Sequence, residues 1–170
     1  LALVRVGGVG EDLGRVDADA DGKHHVRQLP IEPDAADGSV VAYLTSEQED
    51  VILHIAGKDG VVMANKNSGY IFWSNWAETS EHSKSLIKEI RFNGAFNTQN
   101  AETMECMFHA CKSLEKINLS GFNTSKVKSM ESMFELCIAL PSLDLSSFDT
   151  SSVETFESMF ETCKLFSELD

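Results

Sequence analysis

The second half of the chain repeats one pattern of apolar and polar positions every 26 residues. Each copy opens on a phenylalanine, carries an ESMF-like segment in its middle and has a cysteine three residues after that segment's phenylalanine. The three copies are FNTQNAETMECMFHACKSLEKINLSG at 96–121, FNTSKVKSMESMFELCIALPSLDLSS at 122–147 and FDTSSVETFESMFETCKLFSELD at 148–170. A fixed period of this size is typical of a solenoid, because a single unit cannot bury its apolar face alone.

Each unit contains two shorter periods that predict two elements. Spacings of three and four separate the apolar residues of the first half and predict one face of a short helix, as at Val127, Met130, Phe134 and Cys137. Alternation governs the second half and predicts a short strand, as at Leu140, Leu143 and Leu145. One unit is therefore expected to be a helix, a turn, a strand and a turn.

Stacked units would pair their strands in parallel at about 4.8 Å. The ladder is expected to begin before the first full unit, because IKEIRFNGAF at 87–96 aligns with LEKINLSGF at 114–122. The alignment requires one inserted residue near Gly94 or Ala95. The last unit stops within its strand pattern, so we expect the natural protein to continue with further repeats.

The repeat resembles a known family. The pattern LxxLDLSxFDTSxVxxMxxMFxxC, present as LPSLDLSSFDTSSVETFESMFETC at 140–163, is similar to that of the BspA-like leucine-rich-repeat proteins of bacterial surfaces. The resemblance covers 86–170 and implies an α/β solenoid of short parallel strands and short helices, displayed outside the cell and without catalytic activity. Residues 41–80 are similar to the segment that precedes such repeats.

We expect three parts in the chain. Residues 1–39 are rich in Gly, Ala, Val and Asp and are expected to be a peripheral or linker segment. Residues 40–85, with VILHIAGKDGVVMANKNSGYIFWSNW at 51–76, predict an N-terminal β-hairpin cap, in which Trp73 and Trp76 would cover the first repeat. Residues 86–170 would be the repeat domain.

The solvent-exposed face of the predicted strands is the candidate binding surface. In a curved solenoid these side chains line the concave face, which is the usual binding side. They are mixed in charge and include no aromatic anchor, so affinity per repeat should be low. The candidate binding residues are Glu89, Arg91, Lys116, Asn118, Ser142 and Asp144.

Composition narrows the classes of partner. The formal net charge of −13, with the lysines and arginines scattered, excludes nucleic acid as an expected partner. No stretch approaches the roughly 20 apolar residues of a membrane span. We expect a monomer that binds an extracellular protein or glycoprotein, with no small-molecule substrate and no cofactor.

The first forty residues contain the beginning of a calcium-loop pattern. Asp17, Asp19 and Asp21 alternate as the carboxylates of such a loop do, and a glycine follows them. The twelfth position is Gln28, where the loop requires a bidentate glutamate. A solvated acidic turn is therefore favoured over a metal site.

The cysteines and the lone histidines are interpreted as structural residues. Three of the four cysteines follow the repeat and end its apolar stripe, so we expect them to pack as small hydrophobes. Cys106 lies outside that column and is expected to be the most reactive thiol. His54 and His109 stand in apolar settings, where a hydrogen-bonded structural histidine is favoured over a ligand.

The favoured hypothesis is a non-catalytic extracellular adhesion or protein-recognition module that binds through the strand face. The alternative is a structural spacer that holds another domain away from a bacterial surface. A weaker alternative is an enzyme whose active domain lies mainly outside this sequence. Charge reversal on the strand face discriminates the first two, because a spacer would be indifferent to it.

Overall fold

The computed structural model describes residues 16–18, 24–26, 40–47, 50–72 and 87–169. Within these residues all the regular elements are strands. They are β1 Val16–Ala18, β2 His24–Val26, β3 Val40–Glu47, β4 Asp50–Met63, β5 Ile87–Asn97, β6 Lys116–Ile117, β7 Ser142–Leu143 and β8 Glu168–Leu169.

The main sheet has the order β3-β4-β5-β6. β3 runs antiparallel to β4, and β4, β5 and β6 form a parallel set of three strands. β4 is central, and its residues 51–55 are all buried, as expected for a strand covered on both faces. Val51, Leu53 and Ile55 belong to the main apolar core, whereas Ile52 and His54 alternate with them on the opposite face.

The antiparallel pair at the N-terminal side differs from the hairpin predicted within 51–76. The partner of β4 is the preceding strand β3, with register from Val40↔Gly57 to Glu47↔Asp50. β4 continues past Gly57 to Met63 and absorbs the extra residues as a register shift against β5 between Ala56 and Val61. Trp73 and Trp76 lie outside the described residues.

The predicted alignment of the first strand with the repeats is confirmed. Ile90 pairs with Ile117, and this separation along the chain is one residue longer than the repeat. Farther along, Phe96 and Phe122 are separated by the repeat itself, and their rings lie 5.3 Å from each other. The extra residue therefore falls between these two points, where the sequence alignment placed it.

The prediction of a short helix in each unit is wrong. Residues 104–111 instead form consecutive turns, in which the N–H groups of Met107, His109 and Cys111 donate to the carbonyl three residues earlier, at 3.1–3.2 Å. The intervening N–H groups of the first full unit donate to the next unit, at 2.8–2.9 Å: Cys106, Phe108 and Ala110 to Glu131, Met133 and Glu135. In an α-helix each N–H beyond the first turn would instead donate to the carbonyl four residues earlier, within its own segment.

We call the stacked segments 67–72, 103–111, 129–137 and 155–163 the turn ladder. Neighbouring members are joined by parallel bridges, Asn67↔Thr103, Thr103↔Ser129 and Ser129↔Thr155. The turns require a left-handed backbone at two fixed places in each full unit. These places recur with the repeat and carry φ values of 53–62° at Cys106, Ala110, Ser132, Leu136, Ser158 and Thr162.

The core is a set of side-chain columns that runs through the stack. Phe72, Phe108, Phe134 and Phe160 form the Phe column, with ring centroids 5.1, 5.2 and 5.7 Å apart and rings within 10° of parallel. Met107, Met133 and Met159 are also buried. Because identical residues meet at each interface, the repeat of the sequence is a repeat of packing contacts.

A proline interrupts the strand side of the stack. Glu115 donates its N–H to the Lys88 carbonyl at 2.8 Å, and Ser167 donates to the Pro141 carbonyl at 3.0 Å. Pro141 occupies the same position in the intervening unit and has no N–H to donate. Accordingly, β7 pairs with β8, and no strand pairing joins β6 to β7 within the described chain.

Candidate recognition surface

A groove of about 750 Å³ lies on the strand side of the stack. It lies along β5, β6 and the turns that follow them. We call it the strand-side groove. Its polar lining consists of Glu89, Arg91, Asn93, Asn97, Gln99, Lys116, Asn118, Ser120 and Asn123, and its apolar lining includes Phe92, Phe96 and Phe122.

The charged centre of the groove is built by adjacent strands. Arg91 donates from Nε to Glu89 Oε1 at 2.7 Å and from Nη2 to Glu89 Oε2 at 3.0 Å, which is a bidentate ion pair. Lys116 lies opposite Glu89 in the register and is exposed. The bonds from Arg91, assisted by the charge of Lys116, lower the pKa of the Glu89 carboxyl. Glu89 is therefore ionised at neutral pH, and the three residues carry a net charge of one positive unit.

His54 supports this centre from β4. Its Nδ1 lies 2.6 Å from Asn93 Nδ2 and its Nε2 lies 2.8 Å from Thr45 Oγ1. His54 is 7% exposed and lies opposite Arg91 in the register. The interpretation of His54 as a hydrogen-bonded structural histidine is confirmed by these contacts.

The amide side chains of the groove are fixed by turns. Asn97, Asn118 and Asn123 each accept, through Oδ1, the backbone N–H two residues later, at 2.9–3.1 Å. This local bond is the Asx-turn that asparagine favours. Because the oxygen of each amide is engaged in its own turn, the Nδ2 group is the part of these groove-lining side chains that is left to donate to a ligand.

The structure brings four of the six predicted binding residues together. Glu89, Arg91, Lys116 and Asn118 line the groove, with the first two half-buried and the last two exposed. Ser142 and Asp144 are exposed but lie in the β7 layer, beyond the interruption at Pro141, and are not part of the groove.

Sequence reasoning missed the amide wall of the groove. This wall consists of Asn97, which is the last residue of β5, and of Gln99 and Asn123, which follow the strands. A signal was present, because the repeated FN dipeptides at 96–97 and 122–123 place two of these amides in register. The alternation of a strand selects only side chains within that strand, so amides at its end or in the turn after it fall outside that pattern.

Carboxylates replace the amides in the next unit. Asp144 and Asp149 occupy the repeat positions of Asn118 and Asn123 and form the same turns, with Oδ1 accepting the N–H two residues later at 2.9 and 3.0 Å. The hydrogen bonds from the serines at these later positions lower the pKa of both carboxyls. The surface therefore changes from amide donors to ionised acceptors where the groove ends.

The cysteine column is a packing feature. The thiols of Cys111, Cys137 and Cys163 donate to the carbonyls of Phe72, Phe108 and Phe134, at 3.4, 3.2 and 3.1 Å. Burial raises the pKa of Cys137 and, to a smaller extent, that of Cys163. Cys106 is half-buried, as Cys111 and Cys163 are, and burial with nearby carboxylates raises its pKa, so the expectation that it is the most reactive thiol gains no support.

The described residues hold no cluster of three or more metal-binding side chains. Of the calcium-loop pattern, Asp17 lies in β1, whereas Asp19 and Asp21 lie outside the described residues. Among the residues that the structure describes, no helix has the length and apolarity needed to cross a membrane.

A comparison with known protein families identifies a family for the repeat region. The profile of the family described as "Mycoplasma protein of unknown function, DUF285" matches residues 75–169, which is more than half of the 170 residues. The chain belongs to this family. Neither the curated proteins nor the solved structures give a match.

Proposed function

We propose that the chain is a leucine-rich-repeat type solenoid of the BspA-like kind, and that it is a non-catalytic recognition or adhesion module outside the cell. The observation that carries this proposal is the strand-side groove. A concave surface with a few converging polar groups is the usual form of a binding site.

The stacking of the repeats supports the solenoid part of the proposal. Backbone bonds and the Phe column join each layer of the turn ladder to the next with the same geometry. Repeat proteins of this type bind through extended surfaces that many layers build together. Weak contacts at one groove would then be strengthened by several copies on one surface.

The spacer remains the second candidate function, and one observation favours it. Several polar side chains on the strand side are occupied in holding their own turns, as Asn118 and Asp144 show. A spacer would need this regularity and no ligand.

A binding screen with the complete 170-residue chain separates the two. The chain is displayed in multivalent form to extracellular matrix proteins, mucins and bacterial surface proteins. Two variants are tested in parallel, Lys116→Glu and a triple reversal at Arg91, Lys116 and Asp144. Lys164→Glu is the matched control, because it makes the same charge change at an exposed residue away from the groove.

The recognition module predicts saturable binding that Lys116→Glu weakens by roughly tenfold or more and Lys164→Glu leaves unchanged. Absence of binding across the panel, with every variant folded, would favour the spacer. Binding that persists in the triple reversal would place the recognition surface somewhere other than the strand face.

A further inference from the structure

We infer that the strand-side groove binds a short oligosaccharide that carries carboxylates, such as a chain of uronic acid residues. The inference rests on the proposed recognition function and names the chemical class of its ligand. It follows from the hydrogen-bonding polarity of the groove, its local charge and the spacing of its donors.

The groove offers donors and few acceptors. The Oδ1 atoms of Asn97, Asn118 and Asn123 are engaged by backbone N–H groups, and both oxygens of Glu89 are engaged by Arg91. An amide whose oxygen is engaged still has two N–H donors. Each engaged oxygen keeps at most one further lone pair, and Asn123 Oδ1 already accepts two bonds, so donors outnumber the remaining acceptors of these side chains and favour a ligand rich in acceptor oxygens.

This polarity favours a saccharide over an extended peptide. A sugar hydroxyl can accept from the groove while its own proton turns to solvent. A peptide backbone instead brings an obligatory N–H at nearly every residue, which requires an acceptor when it is buried. The lining also offers no exposed aromatic pocket for a peptide side chain, since Phe96 and Phe122 are buried. The half-buried Phe92 supplies a small apolar floor.

The local charge selects an anionic ligand even though the whole chain is acidic. Glu89 is neutralised by its bidentate pair with Arg91, which leaves Lys116 as the net positive charge of the groove. Within the described residues, no carboxylate forms an ion pair with Lys116 at 4.0 Å or less. Beyond the groove, ionised Asp144 and Asp149 would repel a longer anionic chain, so the ligand is short.

The donors repeat with the layers of the protein. Asn97 and Asn123 follow Phe96 and Phe122, whose rings are 5.3 Å apart. That separation is close to the length of one sugar ring in a glycan chain. Successive sugar rings can therefore meet equivalent amides of successive layers.

The chain itself supplies the variant that removes the donors without disturbing the fold. Asp144 and Asp149 make the same turns as Asn118 and Asn123, so the double change Asn118→Asp with Asn123→Asp keeps the turns and replaces two donors by carboxylates. The matched control is the reverse change, Asp144→Asn with Asp149→Asn, outside the groove.

Isothermal titration calorimetry of the complete chain at about 0.15 M salt, where distant charges are screened, measures the binding of three probes. They are tetragalacturonate, its neutral methyl ester and tetraglutamate. Tetragalacturonate should bind, and the ester and the peptide should each bind at least about tenfold more weakly. The ester lacks the carboxylates that would form a charge-assisted hydrogen bond with Lys116, and the peptide brings backbone N–H groups that need acceptors. The donor-removing variant should lose about tenfold or more, and the control should bind no more weakly than the unaltered chain, because it removes two repelling carboxylates and no donor of the groove.

Three results would overturn the inference: equal binding of the ester, equal binding of tetraglutamate, or no binding of tetragalacturonate at millimolar concentration. Its failure is distinguishable from failure of the proposed function. A protein partner that still binds after enzymatic deglycosylation, and that Lys116→Glu abolishes, would retain recognition by the groove and reject the saccharide.

Discussion

At the scale of the residue, the short FNT and FDT motifs explain the repeat in chemical detail. Their phenylalanines pack between layers, and Asn97, Asn123 and Asp149 fix the turns that follow. The threonines join one layer to the next. Thr98 Oγ1 donates to the Asn123 carbonyl at 2.8 Å and accepts the Asn123 N–H at 2.7 Å, and Thr124 Oγ1 donates to the Asp149 carbonyl at 2.9 Å.

The buried hydroxyl of Thr98 should therefore contribute measurable stability. Thr98→Val keeps the shape but leaves two backbone groups of Asn123 without their partner, so we expect the free energy of unfolding to fall by about 1–3 kcal/mol. Thr150→Val is the matched control, since Thr150 occupies the same repeat position but is exposed. Urea unfolding measures both, and equal effects would show that the interlayer bond contributes nothing.

The cysteine column makes a second prediction at this scale. Cys137 is fully buried, and burial raises its pKa, so little of the reactive thiolate exists near neutral pH. Iodoacetamide at about pH 8 should modify Cys137 roughly 100-fold more slowly in the folded chain than in urea. Mass spectrometry of the labelled peptides gives each rate, with half-buried Cys163 as the internal comparison. Equal rates in the folded and unfolded chains would contradict the packing seen here.

At the scale of the element, sequence reasoning found the correct residues and the wrong conformation for half of each unit. Spacings of three and four place Val127, Met130, Phe134 and Cys137 on one side, and all four are buried. The same spacing is produced by consecutive turns. A helix and consecutive turns differ in which carbonyls accept hydrogen bonds from alternate backbone N–H groups. In this chain those carbonyls belong to the next unit. A local pattern cannot contain that information.

The strands were predicted more accurately than the turns. In the strands, the alternation of apolar residues and the alignment with the neighbouring unit indicate the same pairing. The ends of the pairing were not predicted. Leu140, Pro141 and Ser142 fit the strand pattern by side chain, but the missing N–H of Pro141 is a backbone property that a pattern of apolar positions does not register.

The hydrogen bond that Pro141 cannot donate can be restored by substitution and detected by amide exchange. In Pro141→Ser the restored N–H should reach the preceding layer, as the N–H groups of Glu115 and Ser167 do at the equivalent positions. Amide hydrogen exchange followed by NMR should then show protection at residue 141 comparable with that of residue 115. The net change in stability should be small, since loss of proline stiffness offsets the new bond. Exchange at the rate of an open loop would show that the layers are held apart for another reason.

At the scale of the whole molecule, the stack begins earlier than the repeated sequence indicates. Residues 67–72 form the first layer and place Phe72 on Phe108, although these two rings are farther apart along the chain than one repeat. Ile71 precedes Phe72 as Met107 precedes Phe108, and all four are buried. The separation of Phe72 from Phe108 is 36 residues, against a repeat of 26, and this difference hid the correspondence. The family match also starts only at residue 75.

The Phe column should show where the stack is most tightly packed. Phe134→Ala removes a fully buried ring between two others and should cost about 3–5 kcal/mol. Phe160→Ala should cost clearly less, because Phe160 is only half-buried. Phe156→Ala, at a residue that is 45% exposed, should cost about 1 kcal/mol or less. Thermal and urea unfolding of the three variants tests this order, and a larger loss at Phe156 than at Phe134 would contradict it.

The hydrogen bonding of the turn ladder gives the stack an electrical direction. Past the bridge residue that opens each layer, the N–H groups that cross between layers donate to the carbonyls of the later layer, as from Ser68 to Thr103, Met104 to Ser129 and Met130 to Thr155. Only the bonds at the entrance of each layer run the other way, as from Thr155 to Lys128. Aligned peptide dipoles add, as they do along a helix. The ladder is thus polarised, with its positive pole toward the later layers, and two such stacks would extend one another favourably head to tail, where opposed poles meet.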